Sequence, residues 1–195
     1  MNRKTTSILL FATAFLLALA LPVMPSLLNN SGFYGMAIDE PGESLKGYQP
    51  PQDGLVVIFF GYRQCGTVCP AQLVNLLDLS QRLDDAKVEF LFVTLDPEND
   101  TAQDLQQTMA SLGEAFRSYR PETHQSAQKL ASAYNDFAVK QGGAPSDYIA
   151  HSANLHVVTS DFRRRLVYAT PDLKLGLVEQ DIRRFLKEYD SESAT

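Results

Sequence analysis

Patterns typical of buried strands and of amphipathic helices alternate along most of the chain. Leu55 to Phe60 and Val88 to Leu95 are uninterrupted apolar runs, which is typical of strands covered on both faces. Between them, leucines recur with helical spacing from Leu73 to Leu83, and Pro70 suits the first turn of such a helix. Cys69 is therefore expected at or just before the start of this helix.

The second half of the chain continues the alternation and ends with a hairpin and a helix. Thr101 and Thr123 are suited to cap the first two of its helices. The predicted elements are, in order, a helix from Thr101 to Leu112, a strand from Ala115 to Tyr119, a helix from Thr123 to about Asn135, a Gly/Pro loop from Gln141 to Asp147, strands from Asn154 to Thr159 and from Arg164 to Tyr168, and a helix from Leu175 to Tyr189. This order predicts a thioredoxin-like α/β fold with a central mixed sheet flanked by helices.

The N-terminal segment has a different pattern, which predicts a transmembrane helix. Arg3 and Lys4 precede Ser7 to Leu28, an uncharged and mostly apolar stretch long enough to cross a hydrocarbon layer of ~30 Å. Residues 1–28 are interpreted as a membrane anchor or signal. We favour an uncleaved anchor over cleavage after Ala18-Leu19-Ala20, because the apolar run continues beyond that point. The positive charges favour the cytoplasmic side, so the rest of the chain is expected on the opposite side.

Residues 29–54 are rich in Gly, Pro, Asn, Ser and acidic residues. This composition predicts a tether with at most a short strand near Phe33 to Ala37. Residues 55–195 then form the predicted thioredoxin-like domain, which has an ordinary size for a single core.

Charge and cysteine content narrow the function classes. The formal net charge is −6, and the longest basic run is Arg163 to Arg165, which argues against nucleic acid as a partner. Two cysteines in 195 residues are too few for a disulfide framework. A pair separated by three residues is better explained by redox chemistry or metal binding.

Cys65 and Cys69 lie in the predicted loop from the first buried strand to its helix. Functional groups of α/β sheets are commonly presented at such carboxyl ends of strands. The dipole of the helix start favours thiolates, which are both nucleophiles and soft metal ligands. Two thiolates leave a Cu(I) ion short of one ligand in a trigonal site, and imidazole is a suitable third donor.

The chain has three histidines. His151 stands at a predicted loop-to-strand junction that can face the cysteine loop, although the residues alone leave open whether it is a ligand. His156 is interpreted as a surface or packed histidine, and His124 as a surface residue in a first helical turn. The acidic cluster from Asp96 to Asp100 is interpreted as a turn followed by a helix cap, because it lacks the ligand spacing of a calcium loop.

Three segments resemble, in order and spacing, the signature segments of the Sco/SenC family. They are GYRQCGTVCP at 61–70, the strand from Phe90 to Leu95 with DPENDT after it, and YIAHSA at 148–153. Family members are membrane-anchored thioredoxin-fold proteins implicated in delivering copper to the CuA centre of cytochrome c oxidase. The resemblance, over roughly Leu55 to Tyr189, implies copper bound by Cys65, Cys69 and His151, as Cu(I) with Cu(II) left open.

The resemblance also implies a partner and a location. The partner is a copper-receiving oxidase subunit or another copper chaperone, and the domain lies in the periplasm or an equivalent extracytoplasmic space, anchored by the N-terminal helix. Gly66 and Thr67 stand where the family usually has Pro and Asp, and Ala150 stands where Asp is common. These departures are expected to lower the negative charge around the metal.

The two cysteines are compatible with four functions. The leading hypothesis is a copper metallochaperone that passes its ion on by ligand exchange. The alternative is a thiol-disulfide oxidoreductase, in which Cys65 attacks a partner disulfide and Cys69 resolves the mixed disulfide. Peroxide reduction and an inert Cys65–Cys69 disulfide are the remaining readings. Both leading hypotheses need the cysteines, but only the first needs His151.

Overall fold

A computed structural model describes Thr13 and residues 32–142 and 148–193. The chain divides into two compact units, 1–33 and 34–195, and the elements below belong to the second. The strands are β1 Met36–Pro41, β2 Leu55–Gly61, β3 Val88–Thr94, β4 Phe116–Tyr119, β5 Ala138–Gln141, β6 Tyr148–His151, β7 Leu155–Thr159 and β8 Arg163–Tyr168. The helices are α1 Val68–Arg82, α2 Ala102–Leu112, α3 His124–Ala133 and α4 Leu175–Ser193.

A six-stranded mixed sheet in the order β1-β8-β7-β2-β3-β4 forms the core. The central strand β2 runs parallel to β3 and antiparallel to β7, and each of its residues is buried. This explains its unbroken apolar run, because a strand covered on both faces has no polar face to show. Helix α1 packs against α4. The predicted mixed sheet with flanking helices is confirmed.

The predicted helix starts are also confirmed. The Thr101 side chain accepts a hydrogen bond from the Asp104 N–H at 3.1 Å, and Thr123 forms a capping box with Ser126. Helix α1 begins at Val68, so Cys69 is its second residue and Pro70 lies in its first turn. The first cysteine therefore belongs to the loop and the second to the helix.

One strand lies inside the segment that the sequence assigns to a tether. Strand β1 pairs with β8, and the buried carboxylate of Asp181 accepts the N–H groups of Tyr34 and Gly35 at 3.0 and 2.8 Å. The segment is thus packed on the sheet from residue 34 onward. The hydrophobic pattern of β1 predicts a strand only weakly, because β1 lies at the edge of the sheet and most of its side chains are exposed.

The sequence pattern does not predict a small second sheet, in which β5 and β6 pair antiparallel. Each of these strands has four residues of mixed polarity, which is too short for a periodic pattern. The sheet matters because β6 ends at His151, so this residue lies in a strand rather than at a loop-to-strand junction.

Within the part of the chain that the structure describes, no helix combines the length and the apolar character needed to cross a membrane. The predicted anchor, Ser7 to Leu28, lies outside these residues except for Thr13. The anchor therefore stays a prediction.

Candidate metal centre

The cysteine loop leaves the carboxyl end of β2 and is held by a buried carboxylate. Asp100 accepts the Arg63 N–H at 3.2 Å and the Thr94 hydroxyl at 2.6 Å. The Cys65 N–H donates to the Tyr62 carbonyl at 3.1 Å and closes a tight turn. Both thiols are consequently buried at the start of α1.

A glycine makes room for the second sulfur. At Gly61, the last residue of β2, a Cβ atom would lie 2.8 Å from the Cys69 Sγ and 2.9 Å from the Phe92 ring. Carbon atoms do not approach that closely without displacing a neighbour. The lack of a side chain at residue 61 therefore allows Cys69 to pack directly against the end of the central strand.

His151 meets the two sulfurs from the opposite side of the site. Its Nε2 atom lies 3.3 Å from the Cys65 Sγ and 3.5 Å from the Cys69 Sγ. One ligand atom from each of the three residues falls within 4.8 Å of the others, and all three residues are buried. The structure thus brings together the three residues that the sequence analysis singles out.

The imidazole of His151 is oriented by its own backbone. Its Nδ1 atom lies 2.7 Å from the Ser152 carbonyl oxygen, and since a carbonyl only accepts, Nδ1 carries a proton. Nε2 is thus the ring nitrogen that faces the sulfurs, where it donates to a thiolate when it carries a proton and offers a lone pair to a metal ion when it does not. The Tyr62 ring packs edge-on against the imidazole with centroids 5.7 Å apart. This is the usual arrangement of a metal-binding histidine, in which the second nitrogen is tied to a carbonyl.

The two thiols differ in acidity. Burial by itself raises the pKa of Cys65, but hydrogen bonds from His151, Thr67 and the backbone outweigh it and lower the pKa to about 6. Burial raises the pKa of Cys69 well above that of an ordinary thiol, and the neighbouring Cys65 raises it further. Cys65 is therefore the thiolate of the pair at neutral pH, whereas Cys69 retains its proton until a metal ion displaces it.

The donor set fits a soft ion. Two sulfurs and one imidazole nitrogen, with no carboxylate in the group, match the preferences of Cu(I) better than those of Mg²⁺ or Ca²⁺. The Thr67 hydroxyl lies 3.5 Å from the Cys65 Sγ. At this position a neutral hydrogen-bonding group therefore stands beside the thiolate.

The other two histidines are not part of this cluster. His156 is fully buried, with its Nε2 atom 3.2 Å from the Asp136 carboxylate, close enough for an ion pair although not aligned as a hydrogen bond. His124 donates from Nδ1 to the Leu95 carbonyl at 2.9 Å and is half-buried, so the prediction of a surface position was wrong.

Two residues that the sequence analysis did not consider join the cysteine region to the histidine strand. The Tyr62 hydroxyl accepts the N–H of Ile149 at 3.4 Å, and the Gln72 side-chain amide donates to the Ala153 carbonyl. Tyr62 gives no sequence signal of this role. Gln72 does, because it is a polar residue in the buried stripe of α1 that also contains Cys69 and Leu76.

Comparisons with known proteins agree with this fold. A family model described as SCO1/SenC matches residues 39–187. The mitochondrial SCO2 homolog of Danio rerio is 30% identical over 115 residues, 54% of this chain and 40% of the relative, so the chain spans less than half of that protein. Apo Sco1 of Thermus thermophilus superposes with a TM-score of 0.65 at 25% identity, covering 78% of this chain and 96% of the other. Copper-bound ScoI of Arabidopsis thaliana gives 0.63 at 17% identity, covering 71% and 88%. The thioredoxin-like fold is thereby confirmed.

Proposed function

Because the chain belongs to the SCO1/SenC family, we propose that it binds a copper ion through Cys65, Cys69 and His151 and serves in the assembly of cytochrome c oxidase. The observation that carries the proposal is the convergence of two buried sulfurs and one oriented imidazole nitrogen within 4.8 Å. The copper-bound relative from Arabidopsis thaliana supports the choice of metal.

Copper is the cargo of this proposed function, and the protein residues hold and release it. The two thiolates supply soft donors, and His151 completes a trigonal set. Thiolate donors are exchangeable, so an incoming ligand from a partner displaces one donor at a time and copper is never released into water. We assign the recipient as the CuA-bearing oxidase subunit or another copper chaperone.

The proposal includes a location. The predicted anchor at residues 1–28 holds the domain at the outer face of the membrane, in the periplasm or an equivalent space. There the domain would meet an oxidase subunit that is itself in the membrane.

Anaerobic titration of the fully reduced full-length chain with Cu(I) tests the site, and X-ray absorption counts the ligands. We expect one copper ion per chain with two sulfur ligands and one nitrogen ligand. His151→Ala should remove the nitrogen ligand and weaken binding by at least about tenfold. His124→Ala is the matched control and should bind like the wild type. Copper binding that is unaffected in His151→Ala would remove His151 from the proposed site.

The lowered pKa of Cys65 supports a second candidate, a thiol-disulfide oxidoreductase. The Cys65 thiolate attacks a partner disulfide and expels one partner thiolate. The Cys69 thiol then loses its proton to the expelled partner thiolate and attacks the mixed disulfide, which releases the second partner thiolate. The pair is oxidised to a Cys65–Cys69 disulfide, and the partner is reduced by two electrons. Cys69→Ser should trap the mixed disulfide on Cys65, detectable by mass spectrometry. Absence of trapping at pH 7 would exclude this activity.

A further inference from the structure

A partly buried hydrogen-bond chain links the helix that carries Cys69 to the backbone that follows His151. Gln72 lies one helical turn after Cys69 and is fully buried. Its Nε2 group donates to the Ala153 carbonyl, and its Oε1 accepts from the Asn75 amide at 2.7 Å. Asn75 in turn donates to the Pro171 carbonyl at 2.8 Å. Both ends of the Gln72 amide are therefore satisfied.

A polar group at this position needs an explanation. The buried stripe of α1 otherwise consists of Cys69, Leu76 and Leu79, and an apolar residue at position 72 would avoid the cost of burying an amide. The structure assigns Gln72 a different use, since its donor reaches the carbonyl two residues beyond His151. We propose that Gln72 is a positioning residue, which fixes the histidine segment against the cysteine helix and thereby preorganises the copper ligands. This inference rests on the proposed copper function.

The route from Gln72 to the ligand is short. The His151 ring takes its orientation from the Ser152 carbonyl, and the peptide that contains this carbonyl is bonded directly to Ala153. On the other side of the segment, the Ser152 N–H donates to the Phe137 carbonyl at 3.3 Å, and the Phe137 N–H donates to the Ser152 hydroxyl at 3.1 Å. Ser152 is thus held by the small sheet and Ala153 by the helix. Loss of the helix-side bond frees the imidazole to turn away from the sulfurs.

Two variants of the full-length chain test this role. Gln72→Met keeps the length and removes both polar ends, whereas Gln72→Glu keeps the acceptor for Asn75 but cannot donate to Ala153 when ionised. Both should weaken Cu(I) binding by about 10- to 100-fold, the usual effect of losing an outer-sphere partner. Both should also reduce nitrogen scattering in the X-ray absorption spectrum, while the two sulfur ligands stay.

A copper-free measurement separates this inference from the proposed function. Nitrogen NMR of the apo chain should show the Nδ1–H tautomer of His151 protected in the wild type and exchanging faster in both Gln72 variants. Asn75→Ala, which leaves the Gln72 donor in place, should resemble the wild type, and thermal unfolding should show that each variant is folded.

Unchanged copper affinity, nitrogen ligation and His151 exchange in the folded Gln72 variants would overturn the inference. Equal losses in Asn75→Ala would also overturn it, because they would indicate general loosening. If Gln72→Met does not fold, Gln72→Glu decides the question. If the wild type binds no copper, the proposed function fails, while the NMR result still judges the positioning role.

Discussion

The two halves of the candidate copper site are held in different ways. The cysteine loop joins the fully buried central strand β2 directly to α1, so Cys65 and Cys69 are positioned by the core itself. His151 ends a two-stranded sheet outside the main one, and its neighbours donate one hydrogen bond to Tyr62 and accept one from Gln72. The sulfurs are thus placed mainly by core elements, and the nitrogen mainly by a small outer sheet and its contacts with side chains.

This difference suggests which part of the site can move. Packed cores have low compressibility and change their arrangement only at considerable cost. Individual hydrogen bonds contribute about 0.5–1.5 kcal/mol net, and a segment held by a few of them can open locally. In the proposed copper transfer, ligand exchange is therefore expected to begin with His151, while the cysteines keep the ion.

The largest expected effect is on the histidine side, where a buried carboxylate supports the segment. Asp136 accepts from the Asn154 amide and lies 3.2 Å from His156, and both members of the pair are almost fully buried. Asp136→Ala removes the acceptor of the Asn154 amide and the polar neighbour of the buried His156 ring. Orphaned buried polar groups cost about 1–3 kcal/mol each, so we expect the free energy of unfolding to fall by about 2–4 kcal/mol in urea titrations.

Asp136→Asn is the matched control for this prediction. It keeps the shape and an oxygen that accepts from Asn154, so its loss should be clearly smaller. In Asp136→Ala, amide hydrogen exchange should increase more in residues 148–156 than in β2 and α1. An equal increase in both regions would erase the distinction between the two halves of the site.

The next effect concerns the packed half. Gly61→Ala places a methyl group 2.8 Å from the Cys69 Sγ, and forcing extra volume into a packed core costs about 1–3 kcal/mol. Cu(I) affinity, measured by competition with a chromogenic chelator, should fall because the second sulfur is displaced. Gly66→Ala, where a Cβ meets no neighbour within 4 Å, is the control and should bind normally. Normal copper binding by Gly61→Ala would show that the sulfur position is not set by packing.

The smallest effect is on the acidity of Cys65. The Thr67 hydroxyl helps to lower the pKa of this thiol to about 6, so Thr67→Val should raise it. Iodoacetamide reacts with the thiolate, which is protonated as the pH falls through the pKa of the folded protein. A higher pKa should therefore move the midpoint of alkylation to higher pH. At pH 6.5 we expect the rate to decrease by less than about tenfold. An unchanged midpoint would mean that the hydroxyl contributes nothing, and Thr67→Ser should retain the wild-type value.

The difference between the cysteine half and the histidine half of the site also explains which features could be predicted from the sequence. Strands β2 and β3 and the start of α1 were predictable, because buried strands and capped helices have local patterns. The C-x3-C spacing likewise placed the two sulfurs near each other. The role of His151 required the family resemblance, because its distance from the cysteines depends on β5 and β6, which have no detectable period. The roles of Asp100 and Tyr62 depend on contacts between distant segments, which a single sequence does not encode in any short pattern.

The antiparallel pairing of β2 with β7 has a consequence for how the molecule is made. Phe59 pairs with Leu155, so the ribosome adds roughly 100 residues, over roughly 5–20 s, before the central strand gains its second neighbour. During that interval the loop with both thiols already exists, but the strand that brings the imidazole does not. The nascent chain therefore carries a pair of unprotected cysteines, and the thiols are shielded only when folding reaches the C-terminal half.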